Sequence, residues 1–464
     1  MKNMTLGTIT AICNGSFYGD PMQKDKTIEG VVIDSRQVRE GYLFIAIPGE
    51  RVDGHDFISE VFDSGAMAVI SEKRLDNVND PYIVVESSTT AMAKLASFYR
   101  SQLNIPIVGI TGSVGKTSTK EMIASVLKEN FQVHKTSGNF NNEIGLPLTI
   151  FGIREEHEVA VLEMGISNFG EMTRLSEIAS PNIVVITNIG YSHLEFLHDR
   201  DGVLKAKSEI FAHMDPDGTV ILNGDDDKLR QIKETPSRET VFYGLKEGNA
   251  FVSDIENKGM GGMSMTMHLF DETAKIQIPI PGKHNIYNAL AAACVGNALG
   301  MSMDAIAHGI SLVRTLTGRN NILKLQAMTV MDDCYNANPV SMKAAIDVLA
   351  YSEGRTIAIL GDMAELGDNS MEHHYEIGCY LEESKIDLLL CTGNYALEYV
   401  RGMEESLLMD RKENEKKCSH FQTKEHLIRA LHSIILPGDC ILVKASHSMG
   451  FEDIVSFLKA MEIN

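Results

Sequence analysis

Short apolar runs that end in polar, glycine-rich turns recur along this chain, and most are followed by segments whose apolar residues fall three and four apart. The first pattern is that of strands buried on both faces, the second that of helices laid over them. Runs at Ile105 to Ile110, Val159 to Met164 and Ile183 to Ile189 alternate with helical stretches such as Met122, Ile123, Val126 and Leu127. That alternation predicts a parallel sheet. Ahead of it, Gly30 to Asp34, Gly41 to Gly49 and Ala68 to Ser71 read as short strands, with a helix near Phe57 to Ser64. Period-two alternation at Met263 to Leu269 and Ile276 to Ile280 predicts a hairpin, and an alanine-rich helix then runs to Gly300. Strands at Met328 to Met331, Ile357 to Leu360, Leu388 to Cys391 and Ile441 to Val443 predict a second doubly wound sheet. At 464 residues the chain exceeds one core. It is expected to be α/β with three domains: a small α/β domain over 1–86, a central P-loop parallel-sheet domain over 87–313 and a Rossmann-like domain over 314–464.

Ligands of such sheets lie at the carboxyl ends of the strands, so polar residues there are the candidates for chemistry. The first strand end reads Gly112-Ser113-Val114-Gly115-Lys116-Thr117-Ser118 and opens a helix. Glycines in such a turn let consecutive backbone N–H groups close round a polyphosphate; Lys116 can reach the terminal phosphates and Thr117 can ligate Mg2+. The first glycine is Gly112, where the common spacing would put one at Ile110, so the loop is a short variant. A second strand end carries Glu163; an acid there is costly unless paired or metal-bound, which makes it the expected Mg2+ ligand. A third carries Asn188 with His193, and Asn223 to Asp226 form another polar end. In the third domain Asp332, Asp333 and Lys444 share one rim, which can close over a nucleotide held by the central domain.

Lys207 sits in the middle of an apolar stripe of Val203, Leu204, Ile210 and Phe211, whereas Lys205 falls off it. Two readings stand on pattern alone. A buried amine loses its charge and can react with CO2, giving a carbamate suited to a second Mg2+; a lysine can also snorkel along its stem to solvent, the blander reading that pattern favours. Ser35 and Arg36 at a strand end fit a phosphate site or an exposed turn equally well. His284 and Asn285 can cap the alanine-rich helix or face a nucleotide. The adjacent His373 and His374 point in different directions on a helix and read as a solvated pair.

Composition narrows the picture. With 42 basic and 63 acidic residues the net charge is −21, which argues against a nucleic-acid or anionic-membrane surface. The charges are dispersed, apart from a polar stretch from Asp410 to Lys417 that reads as a solvated loop. Seven cysteines without a CxxC pair read as reduced, mostly buried thiols. No apolar run is long enough to span a bilayer and Met1 to Gly19 lacks a signal-peptide core, so a cytoplasmic protein is expected.

These motifs, in this order, resemble the Mur ligase family of amide-forming ATPases, and the likeness spans nearly the whole chain. It rests on the phosphate loop, Glu163-Met-Gly, Thr187-Asn188 with His193, Gly282-Lys-His284-Asn285 with Asn288, Gly318-Arg319, and Asp332 onward. Asn139-Phe140-Asn141-Asn142-Glu143 and Asp333-Cys-Tyr335-Asn336-Ala337-Asn338-Pro339 look like the branch that adds D-alanyl-D-alanine, and the Asp-Asn-Pro-Arg signature of the branch that adds the third peptide residue is absent. The resemblance implies an ATP- and Mg2+-dependent ligase joining UDP-N-acetylmuramoyl-tripeptide to D-alanyl-D-alanine through an acyl phosphate, working as a monomer. It implies that ATP meets Gly112, Ser113, Gly115, Lys116, Thr117, Ser118, Asn188, Asn285, Asn288, Arg319 and Asp332. Metal ions would fall to Thr117, Glu163, His193 and Lys207, and Lys207 coincides with the family's carbamylated lysine, which reverses the reading favoured by pattern. The uridine diphosphate group would lie on the N-terminal domain near Ser35, Arg36, Asp53 and His55. Asn139, Asn141, Asn142, Asp333, Tyr335, Asn336, Asn338 and Lys444 are the remaining expected substrate contacts. Two departures stand out: Lys444-Ala445-Ser446-His447 replaces the usual Lys-Gly-Ser-Arg, and His198 stands where glycine is common. A relative with another acceptor, such as a folate polyglutamylating enzyme, is the nearest alternative. A nucleotide switch that does not ligate is a second, but has no use for polar strand ends on three domains.

Overall fold

The computed structural model describes residues 1–49, 52–232, 239–315, 318, 320–384, 386–409 and 417–461. Arg319 and nearly all of the polar stretch from Asp410 lie outside the described residues. The described strands gather into three sheets. The first orders Ser16–Tyr18, Tyr82–Val84, Ala68–Ser71, Tyr42–Ile45 and Gly30–Val32, all parallel except the first pair. In the nine-stranded central sheet, Ile107–Thr111 lies between Val159–Glu163 and Ile183–Ile186, each buried at every residue. The chain therefore winds to one side of Ile107–Thr111 and then to the other, and the turn after that strand is the switch point where such sheets bind ligands. The six-stranded third sheet is parallel apart from its edge strand Asn321–Lys324.

One hydrophobic core runs through the first and second sheets. Leu43, Ile70 and Ile83 of the first, Met92, Leu95 and Tyr99 of the helix Ser88–Ser101, and Leu162 and Ile186 of the second belong to it. The same helix adds polar ties: Arg100 donates to the carbonyls of Ala179 and Ser180 at 2.9 and 3.1 Å and to Asn182 Oδ1 at 3.2 Å. The third sheet instead packs its helices into clusters made only of its own residues, around Leu360 and Leu389 on one face and Ile359 and Val443 on the other.

The structure departs from the sequence reading in particular places. The second hairpin strand is Glu272–Ile278, four residues ahead of the apolar run that predicted it, because an edge strand leaves its outward positions polar. The strand at Ile183 stops at Ile186, since Thr187 to Ile189 leave the sheet to hold the glycine-rich turn. The solvated histidine pair is corrected: His374 is fully buried, its Nδ1 donating to Ser370 O at 2.6 Å and its Nε2 accepting from Met363 N at 3.0 Å. Helix Ser370–Glu383 turns position 374 inward and leaves His373 beside Glu376 at its surface. All seven cysteines are unpaired, and Cys379 and Cys418 are only half-buried.

Candidate active site at the phosphate loop

The turn is held open by backbone geometry that only glycine adopts easily. Gly112 has φ 149° and a Cβ there would stand 2.0 Å from Thr187 Oγ1; Gly115 has φ 85° and begins the helix Lys116–Leu127. Thr187 and Asn188 clamp the loop from the neighbouring strand end. Thr187 Oγ1 donates to Val114 O at 2.7 Å, Asn188 Oδ1 accepts from Val114 N at 3.0 Å and its Nδ2 donates to Val114 O at 2.9 Å. Ser113 Oγ accepts from Gly190 N at 2.9 Å, and Lys116 Nζ donates to Gly112 O at 2.8 Å. Behind the loop, Asn288 Oδ1 accepts from Thr119 Oγ1 at 2.8 Å while its amide donates to Asn285, which in turn donates to Pro281 O.

Glu163 meets this loop from the adjacent strand. Its Oε2 accepts from Thr117 Oγ1 at 2.8 Å and its Oε1 from Asn141 Nδ2 at 2.8 Å, with Thr117 and Glu163 both buried. Lys120 is buried as well, donating to Thr136 O at 2.7 Å and lying 3.8 Å from Glu163 Oε2. Burial pulls its pKa below an ordinary lysine, and the Glu163 charge opposes that shift.

Lys207 lies in the helix Arg200–Ser208 and is only 1% exposed, so its side chain does not run out to the surface as the snorkelling reading requires. None of the described residues offers its amine a hydrogen-bond or ion-pair partner. Burial first, and the Lys116 charge second, hold its pKa well below that of an ordinary lysine. His193 shares this neighbourhood: burial lowers its pKa most, with Lys207 and Lys116 adding to the effect and Glu365 opposing it. Across the cleft stands the rim of the third sheet. Lys444 Nζ bonds Asp333 Oδ2 at 2.6 Å and Asn336 O at 2.9 Å, and Asp332 accepts from Gly318 N and from Cys334 Sγ, both at 3.0 Å.

A phosphate loop, an acid at the next strand, an unpaired buried amine and a second sheet facing them form one constellation. Residues 110–296 match the Mur ligase middle domain, 318–447 the Mur ligase glutamate ligase domain and 27–100 the Mur ligase family catalytic domain. The UDP-N-acetylmuramoyl-tripeptide--D-alanyl-D-alanine ligase of Bacillus subtilis is 37% identical, over 99% of each chain. The chain belongs to the Mur ligase family. MurF from Acinetobacter baumannii superposes with a TM-score of 0.88 at 30% identity over 99% of each chain. MurF ligase from Thermotoga maritima, solved in complex with ADP, superposes at 0.82 and 32% identity over 93% of this chain and 97% of that one.

The donor set of this Mur ligase suits Mg2+. That ion keeps several waters and needs only one or two protein oxygens besides substrate phosphates. The hydroxyl of Thr117 and the carboxylate of Glu163 converge at the mouth of the phosphate loop, as such an ion requires.

Several expected substrate contacts already have partners. His55 has no free ring nitrogen: Nδ1 meets Asp53 Oδ1 at 2.6 Å and Nε2 accepts from Glu72 N at 3.0 Å. Asp53 also bonds Lys73 at 2.9 Å, and hydrogen bonds led by that from His55 N hold its carboxyl well below the usual carboxylate range. Arg36 forks onto its own Asp34 at 2.9 and 2.7 Å in the short turn Ser35–Gln37. Asn338 caps the helix Pro339–Ala350, Asn142 Oδ1 accepts from Gly145 N at 2.9 Å where Gly145–Phe151 begins, and Asn139 is exposed. Tyr335 sets its ring 5.4 Å from that of His447, whose Nδ1 is 3.3 Å from Glu452. His284 faces the third sheet, its Nε2 3.1 Å from Asn320 Nδ2, beside the Asp333 and Lys444 charges. Lys120, Thr136 and Glu365 were not foreseen. Lys120 had a signal, standing one helical turn after Lys116; Glu365 sits in a loop without periodicity and had none.

Proposed function

We propose that this Mur ligase joins D-alanyl-D-alanine to UDP-N-acetylmuramoyl-tripeptide at the expense of ATP, giving the UDP-linked pentapeptide precursor of peptidoglycan. The observation that carries the reading is the convergence of Thr117 and Glu163 at the mouth of a phosphate loop faced by the Asp333–Lys444 rim. The full-length likeness to ligases of that name supports the choice of substrates. The work is divided among domains over 1–86 for the uridine diphosphate substrate, 87–313 for ATP and 314–464 for the acceptor. The protein works as a cytoplasmic monomer.

A carboxylate is a poor acyl donor at neutral pH, so the terminal phosphoryl group of ATP must first be moved onto it. Ser113 and Val114 spend their backbone N–H groups on Asn188, so those at the helix start, from Gly115 to Thr117, cradle the phosphates, and the Lys116 ammonium offsets the charge that builds on the transferring group. Mg2+, held by Thr117 and Glu163, would polarise the phosphoryl oxygens. His193 and a carbamate on Lys207 would hold a second ion, and Lys207 is suited to that modification because its amine is buried, unpaired and depressed in pKa. The free amine of the dipeptide then attacks the acyl carbon, and the tetrahedral intermediate expels phosphate. Asn141 orients Glu163, while Asn139, Asn142, Asn336 and Tyr335 line the approach of the peptide. Closure of the third sheet over the phosphate loop excludes the water that would hydrolyse the acyl phosphate.

The test is a product-mass assay with ATP, D-alanyl-D-alanine and tripeptides ending in lysine or diaminopimelate. A dipeptide-dependent mass gain in one of them, matched by phosphate release, is expected. Phosphate release independent of the dipeptide, with no amide product, would overturn the assignment.

A further inference from the structure

Glu365 and His193 meet across the cleft between the central and third sheets, Glu365 Oε2 lying 3.8 Å from His193 Nδ1. Both are non-glycine residues in the left-handed region, with φ 61° and 54°. That conformation disfavours side chains, and it persists where surrounding contacts enforce it. For Glu365 the enforcing contacts are visible. Gly361 N bonds Lys444 O at 3.0 Å, Met363 N bonds the buried His374 at 3.0 Å and Ala364 N bonds Ser446 Oγ at 2.7 Å. Glu365 is the first residue past these anchors, and its side chain, 74% exposed, is turned out of its own domain towards the central one. His193 is fixed as firmly, its carbonyl accepting from Phe196 N and Leu197 N.

We propose that Glu365 is a positioning residue for the ATP-metal site, lent to it by the C-terminal domain. The proposal rests on the ligase reading above. A carboxylate that receives the Nδ1 proton of a histidine fixes its tautomer and ring plane, and leaves the Nε2 lone pair free for a metal. At 3.8 Å the pair is in ion-pair range and short of a hydrogen bond, so closure by about 1 Å completes it. The partner of His193 thus arrives only when the third domain closes. The metal site is complete only in the state that also excludes water.

The test uses the full-length enzyme with ADP and with Mn2+ as the probe, its affinity read by paramagnetic resonance. Glu365→Ala is expected to weaken Mn2+ binding to the enzyme–ADP complex by about tenfold or more, the usual effect of losing such a partner. Glu365→Gln keeps an oxygen for Nδ1–H and is expected to stay within about threefold of the parent. The melting temperature of the nucleotide-free protein should not move in either, because the side chain is largely exposed. Parental affinity in Glu365→Ala, or equal losses in both variants, would overturn the proposal and leave the ligase reading standing. Failure of the parent itself to bind Mn2+ with ADP would strike the ligase reading instead.

Discussion

Lys207 shows what a single side chain can reveal about chemistry. A lysine amine 1% exposed and without an acceptor is costly to keep charged, so the fold favours the neutral amine, the form that the proposed carbamate requires. Stripping CO2 from protein and buffer should lower ligase activity, and bicarbonate should restore it; activity unchanged by CO2 removal would exclude the carbamate. Lys207→Met removes the buried amine while filling its volume, so the variant is expected to be at least as stable as the parent, by up to about 2 kcal/mol in denaturant unfolding, yet to ligate at least about a hundredfold more slowly. His198 marks the opposite case. Its φ of 69° and ψ of −59° are strained for a residue with a Cβ. His198→Gly should therefore stabilise the protein by about 1 kcal/mol, measured as a shift in denaturant midpoint.

Among elements, the glycine-rich turn depends most on a neighbour. Because a Cβ on Gly112 would stand 2.0 Å from Thr187 Oγ1, Gly112→Ala must push Thr187 aside and break the clamp on Val114. The expected result is a rise of at least about tenfold in KM for ATP with a stability loss of about 2 kcal/mol, read by initial rates and thermal unfolding. That turn, Glu163 and the inward stripe around Lys207 were legible in the sequence because each depends on local order: a motif, a polar residue ending an apolar run, a helical period. The strand bounds held to within a few residues for the same reason. What stayed hidden was set by distant partners. Nothing near His55 in sequence says that the Glu72 amide will occupy its second nitrogen, and nothing near His374 says that Met363 N will fold onto it. Asn338, expected as a substrate contact, was not foreseen as the N-cap of the helix Pro339–Ala350.

At the scale of the molecule the three sheets form two hydrophobic bodies. The first and second share one core riveted by Tyr99 and Arg100, whereas among the described residues the buried apolar clusters of the third hold only its own side chains, and it meets the rest through contacts such as His284 with Asn320 and His193 with Glu365. Calorimetry should accordingly resolve two unfolding transitions. The transition of the third body carries a pH signature from His374. Burial lowers the pKa of this imidazole, and Asp362, 3.9 Å away, offsets only part of the shift. Both ring nitrogens are engaged in the neutral form, so a second ring proton would meet the Met363 N–H. The unfolded chain takes up that proton below about pH 6.5 while the native state refuses it. Stability is therefore fully present above that pH and falls as pH drops towards the native pKa, by about 1.4 kcal/mol per pH unit for one group. His374→Gln removes the titration, so lowering pH from about 7.5 to about 5.5 should shift the midpoint of this transition less in the variant than in the parent. Equal shifts in the two proteins would mean that a group other than His374 sets the acid sensitivity of the third body.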